Sequence, residues 1–96
     1  AKNNKHRPRL VAGFSAETEN LTENSIKKMK KKHCDIMFAN DVSHKDIGFN
    51  SDYNKVLVLD KEGNTKTISK NKKSFIAKKI AEILLDKLLI DDKNIN

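Results

Sequence analysis

LVAGFSAETENLTENSIKKMKKKHCDIMFANDV, residues 10–42, carries the order of elements that decides the fold. Leu10 to Ala16 is a short apolar run broken by Gly13. Such a run reads as a buried strand, and a glycine inside it permits close backbone approach. The stretch TENLTENSIKKMKKKH then opens on hydroxyls and carboxylates and closes on lysines. That order complements the amide-rich start and carbonyl-rich end of a helix, here expected from Leu21 to Lys32. DIMFANDV, residues 35–42, is a second apolar run and a second strand. Strand, helix and strand in succession give two parallel strands joined by a crossover helix.

Outward from this unit, Ala1 to Arg9 (AKNNKHRPR) is polar and basic and holds the single proline, so residues 1–9 read as an extended lead-in. After the second strand, SHKDIGFNSDYN is rich in Gly, Asn, Ser and Asp and reads as a loop. Val56 to Leu59, a turn at Lys61 to Asn64, and the return through Thr65, Thr67 and Ile68 form a hairpin. From Lys72 to about Ile90, apolar residues at Ile76, Ile80, Ile83, Leu84 and Leu88 recur at three- and four-residue spacing, giving a long amphipathic helix. Residues 10–92 are thus read as one domain piece and 93–96 as a tail. The architecture expected is α/β, in the order β-α-β-(β-hairpin)-α, with helices on both faces. The sheet is expected to be incomplete, because buried strands such as LVAGF and DIMFA need neighbours on both sides, supplied by preceding sequence, a separate chain or a partner.

A chain of 96 residues hides only about two thirds of its unfolded surface. Its 36% apolar and 34% charged residues exclude a disordered or fibrous class. The most apolar stretch, AEILLDKLLI, is interrupted by Asp86 and Lys87, so no membrane span is expected. The first residues do not read as a secretory leader, and one cysteine, Cys34, forms no internal disulfide, so a cytoplasmic setting is expected. The net charge of +7 favours an anionic partner: nucleic acid, an acidic membrane face or a phosphorylated small molecule.

Helical geometry divides the lysines of IKKMKKK. With Leu21 at zero and about 100 degrees per residue, Lys28 falls near 340 and Lys32 near 20, bordering the apolar stripe. Lys27, Lys30 and Lys31 fall near 240, 180 and 280 degrees, on the far face. Three lysines are therefore solvated, while Lys28 and Lys32 are a pair expected to lean over the sheet toward a ligand. Ligands of open α/β sheets sit beyond the carboxyl ends of the strands, where Phe14-Ser15-Ala16-Glu17 and Ala39-Asn40-Asp41 fall. These residues also have plainer readings: helix capping for Thr18 and Asn20, turn chemistry for Asp41 and Ser43, core packing for Phe14.

The succession GFSAETEN, K-x-x-x-K at Lys28 and Lys32, D-x-x-x-AND-V-S from Asp35 to Ser43, and IGFNSDYN from Ile47 to Asn54 resembles the C-terminal part of phosphopantothenate-cysteine ligase. That enzyme, also called phosphopantothenoylcysteine synthetase, is in bacteria usually the second half of a bifunctional coenzyme A biosynthesis flavoprotein. The agreement runs over roughly residues 9–90. The resemblance implies a Rossmann-like three-layer fold, usually dimeric, and condensation of 4'-phosphopantothenate with cysteine through an acyl-cytidylate, using CTP and Mg2+. It implies that Phe14 contacts the nucleotide and that Lys28 and Lys32 bind its phosphates. Pocket-lining roles are implied for Ala16, Glu17, Asn20, Asn40 and Asp41, and for Phe49 and Asp52 in the Gly48 to Asp52 loop. The lysines act as clamps, and no residue of this chain is assigned as a catalytic acid, base or nucleophile: His33 and His44 are read as surface residues and Cys34 as a small buried one.

The complete ligase also has a glycine-rich phosphate-cradling turn and a central lysine-rich motif, and neither is found in these residues. The chain alone is therefore expected to be inactive until a complementing N-terminal region or partner, or a homodimer mate, completes it. Two other function classes stand beside this reading. A small basic nucleic-acid module using IKKMKKK would show salt-dependent binding to random DNA or RNA; two arginines and few aromatics speak against it. A dimerisation piece built on the last helix would dimerise without any ligand.

Overall fold

The computed structural model describes residues 10–44 and 51–94, with side chains as far as Leu89. Six elements follow one another: β1 (Ala12–Glu17), α1 (Leu21–Lys31), β2 (Ile36–Asp41), β3 (Tyr53–Asp60), β4 (Thr65–Lys72) and α2 (Lys73–Asn94). They form one mixed sheet in the order β1-β2-β3-β4. β1 and β2 are parallel, with Ala12 opposite Ile36 and Glu17 opposite Asp41. β2, β3 and β4 then pair antiparallel. The expected β-α-β-hairpin-α order holds, and α/β is the class.

Alternation along the strands assigns each helix its own face. On one, Met29 of α1 packs with Cys34, Met37, Ala39, Leu57 and Leu59, with Val11, Leu21 and Ile26 around them. On the other, Ile76 of α2 packs with Ile36, Phe38, Val56, Val58 and Ile68, flanked by Ile80, Ile83 and Leu84. β2 is buried on both faces, Met37, Phe38 and Ala39 each being fully covered. That is why DIMFA reads as a continuous apolar run.

Gly13 is required by contact: a Cβ there would lie 2.7 Å from Cys34 Sγ and 2.9 Å from Met37 Cε. The close approach read from the sequence is therefore real, and Cys34 is buried as expected. α1 ends in a Schellman arrangement: the Cys34 N–H donates to the Met29 carbonyl at 3.0 Å and the His33 N–H to the Lys30 carbonyl at 3.2 Å. His33, exposed, takes the left-handed position that glycine usually fills, with φ 54°.

Three boundaries differ from expectation. β1 begins at Ala12, because Val11 is engaged by the next turn: its carbonyl accepts the Asp35 and Ile36 N–H groups, and its own N–H donates to Asp35 Oδ2 at 2.8 Å. The hairpin is longer on both arms, so β4 uses Lys72 and the last helix starts at Lys73. That helix continues past Ile90 to Asn94, where polar residues extend a helix already nucleated by its apolar half.

The two sheet edges differ. β4 carries Lys66, Lys70 and Lys72, which discourage further pairing. β1 presents AGFSA before its first charge, and among the described residues nothing pairs with its outer side. The sheet of the described residues is thus open on its uncharged edge, as the incomplete-sheet expectation requires.

Candidate functional site

The carboxyl ends of β1 and β2 lie side by side, with Ala16 opposite Asn40 and Glu17 opposite Asp41. α1 starts beside them and runs back toward the beginning of β2. Its charges suit its dipole, with Glu23 in the first turn and Lys28, Lys30 and Lys31 in the last.

At this rim Lys28 Nζ sits 2.7 Å from Glu17 Oε2. The Glu17 side chain is 6% exposed and the Lys28 side chain 44%. A carboxylate buried this far needs a partner, and stranding it costs on the order of 1–3 kcal/mol or more. Lys28 is therefore held at its ammonium while its side chain as a whole stays about half exposed. Lys27, Lys30 and Lys31 are exposed, as the wheel implied.

Lys32 is the helix C-cap, exposed, one turn along from Lys28. One expectation about this group is corrected. Phe14 does not face the lysines. Its ring stacks on Phe38, centroids 5.3 Å apart and planes at 21°, and Phe38 belongs to the cluster beneath α2. Strand alternation puts Phe14 and Ala16 on that side and Ser15 and Glu17 on the side of α1. Phe14 is 56% exposed at the open edge, whereas Ser15 Oγ is buried and has no hydrogen-bond partner among the described residues.

Asn40 ties three strands together: its Nδ2 donates to the Ser15 carbonyl at 3.1 Å and its Oδ1 accepts from Asn54 Nδ2 at 2.6 Å. Asp41 shapes the turn after β2, its Oδ1 accepting from the Ser43 N–H at 3.0 Å and the Ser43 hydroxyl at 2.5 Å. Asn20 occupies the N-cap position in the left-handed region, φ 47°, without a side-chain cap bond. Asn is one of the residues that tolerates that conformation. Asp52 lies apart, its carbonyl accepting the Lys73 N–H at 3.0 Å. With Tyr53, Lys72, Lys73 and Ser74 it lines a cavity of about 500 Å³ at the start of α2. Phe49 falls outside the described residues, as do Gly48 and Asn50.

Two carboxylates at the opposite end of the sheet went unassigned in the sequence. Asp35, buried, accepts from the Val11 N–H and from Lys61 Nζ at 3.0 Å, clasping the start of β1 to the hairpin. Asp60 organises the turn through the Glu62 and Asn64 N–H groups, and Lys87 of α2 reaches it at 3.6 Å. Asp35 opens the D-x-x-x-AND-V-S motif and Asp60 opens D-K-E-G-N, but neither pattern names the partners found here.

Asp41 and Asp60 are both held below the ordinary carboxyl value of 3.8. Partial burial pushes each up, but hydrogen bonds from Ser43 and the charges of Lys55 and His44 outweigh it at Asp41. Asn64, Lys87 and the Glu62 N–H do so at Asp60. Each group therefore binds its proton less readily folded than unfolded, so its stabilisation is complete above the ordinary value and lost as pH falls through the lower folded-state value. The urea midpoint is expected to drop as pH falls below about 4, and Asp60→Asn to flatten that slope; equal slopes in both proteins would contradict the assignment.

The family model for the DNA/pantothenate metabolism flavoprotein C-terminal domain matches residues 1–88. The chain belongs to this family. The family's coenzyme A biosynthesis bifunctional protein CoaBC of Escherichia coli (strain K12) is 37% identical over 91 residues, covering 93% of this chain and 21% of that protein. CoaBC of Haemophilus influenzae is 38% identical over 79 residues, 82% of this chain and 19% of that protein. The chain thus spans about a fifth of the length of these relatives. A crystal structure of the C-terminal domain of CoaBC superposes with a TM-score of 0.64 at 26% identity, over 86% of this chain and 36% of that one. The resemblance to the synthetase half, read from four short motifs, is borne out.

Among the described residues no group of three or more His, Cys, Asp or Glu side chains is placed to hold a metal ion. No described helix is long and apolar enough to cross a membrane.

Proposed function

We propose that this chain is the C-terminal portion of a phosphopantothenate-cysteine ligase in coenzyme A biosynthesis, and that a nucleoside triphosphate, CTP, binds over the carboxyl end of β1 with its phosphates on Lys28. The observation that carries the reading is the placement of Lys28: a half-exposed side chain whose ammonium is held at the strand end where ligands of open α/β sheets sit. Membership of the family supports the pathway, and the relatives' names supply it.

Attack of a carboxylate on a triphosphate builds negative charge on the departing phosphates. A cation already in place stabilises that charge more than the ground state, which is how Lys28 would accelerate the reaction without acting as acid or base. Phe14, exposed at the edge of the same strand, would meet the nucleotide from the opposite face of the sheet. Mg2+ would be carried largely by phosphate oxygens and water, as is usual for this ion, since among the described residues no group of three or more carboxylate, His or Cys side chains is placed to hold a metal ion. 4'-Phosphopantothenate and cysteine would be the other substrates, and a homodimer or an upstream region the completing partner.

Lys28→Ala is expected to weaken CTP binding by about tenfold, the scale of one charge-assisted contact. Lys32→Ala and the double change Lys27→Ala with Lys31→Ala should each cost less, because those side chains are exposed and, among the described residues, no contact holds them at the strand end. Titration calorimetry on the full-length protein makes the comparison, and equal losses for all three would remove the site from Lys28.

A further inference from the structure

We propose that Glu17 is a positioning residue for Lys28, so that a bound triphosphate meets a lysine that stays on Glu17 and not one that swings free. This rests on the nucleotide reading above and gives Glu17, read from the sequence only as pocket-lining, a role exerted through Lys28.

The two residues come from different elements. Glu17 ends β1, Lys28 lies two turns into α1, and their charged atoms are 2.7 Å apart. Among the lysines of IKKMKKK, Lys28 is the one with an acidic partner among the described residues, and the others are exposed. An ammonium has three N–H donors. One is given to Glu17 Oε2, which leaves two on a side chain that remains 44% exposed. Lys28 can therefore bind an anion without leaving Glu17.

Leaving would be unfavourable, because the Glu17 carboxylate is only 6% exposed and would lose its compensating charge. Staying brings an advantage in entropy. A lysine already held in one rotamer has less freedom to lose when the ligand arrives. Of the two side chains Lys28 is the more exposed, so an approaching phosphate has readier access to it than to the carboxylate. Because the pair is nearly neutral from a distance, long-range attraction of the anion falls to the outer lysines, and Lys28 supplies directed bonds at short range.

The test is a double-mutant cycle on the full-length protein with CTP as probe, comparing wild type, Lys28→Ala, Glu17→Ala and the double variant by calorimetry. Lys28→Ala and Glu17→Ala should each weaken binding by about tenfold, and the double variant by no more than about twofold beyond either. Glu17→Gln, which keeps the shape and a neutral acceptor, should fall between wild type and Glu17→Ala, and serves also if the alanine variant folds poorly. A purely architectural Glu17 would weaken binding by the same factor with or without Lys28, so additive losses overturn the proposal. So does a Glu17→Ala protein that binds CTP as well as wild type while Lys28→Ala does not; that result leaves the nucleotide reading standing. If Lys28→Ala binds like wild type, or wild type binds no CTP, the nucleotide reading itself falls and this inference with it.

Discussion

Phe38→Ala is expected to lower stability by about 3–5 kcal/mol, the usual range for truncating a buried phenylalanine. Phe38 is fully buried in the middle of β2, opposite Phe14 on β1 and Val58 on β3. Its ring is the largest fully buried side chain among the described residues and joins the cluster that holds α2 to the sheet. A 96-residue domain has only about 5–15 kcal/mol in total. The variant should therefore unfold at a much lower urea concentration, or be largely unfolded in buffer. Phe14→Ala, by contrast, removes a ring that is 56% exposed and should cost much less. A Phe38→Ala midpoint close to wild type would mean that the α2 face is not packed as described.

The second large effect is on turnover. Ligase activity is expected to be undetectable for the 96-residue chain and to appear when the remainder of the ligase domain is supplied on the same or a separate polypeptide. The physical reason is the phosphate cradle. A glycine-rich turn aims several backbone N–H groups at anionic oxygens, and the three glycines here, at 13, 48 and 63, stand far apart in the sequence. Lys28 cannot replace that array. The uncharged outer edge of β1 is where added strands would pair. Turnover by the chain alone would refute this, whereas activity regained on mixing would support it.

The fold was legible because its signals are local. Two apolar runs bracketing a polar-to-basic segment, a D-K-E-G-N turn between β-rich arms, and a 3.6-residue repeat each point to one element without help from the rest. The site was only half legible. A helical wheel gives angle but not tertiary partners, so it placed Lys28 beside the sheet and could not show that its ammonium rests on Glu17. Alternation along β1 separates Phe14 from Glu17, yet the sequence does not say which set lies under α1. Gly13 held the clue, since the close approach to Cys34 and Met37 marks the face of α1. Asp35 was unreadable for another reason: its partners, the Val11 N–H and Lys61, are brought to it only by tertiary folding.

The central claim is that Lys28, anchored on Glu17 at the end of β1, receives the phosphates. A crystal structure of the full-length protein with CTP tests it most directly. The account predicts a phosphate oxygen at about 2.7–3.2 Å from Lys28 Nζ, the normal hydrogen-bond range, with that ammonium still on Glu17. A triphosphate seated instead at the hairpin end of the sheet, beside Asp35 and Asp60, with Lys28 untouched, would contradict it.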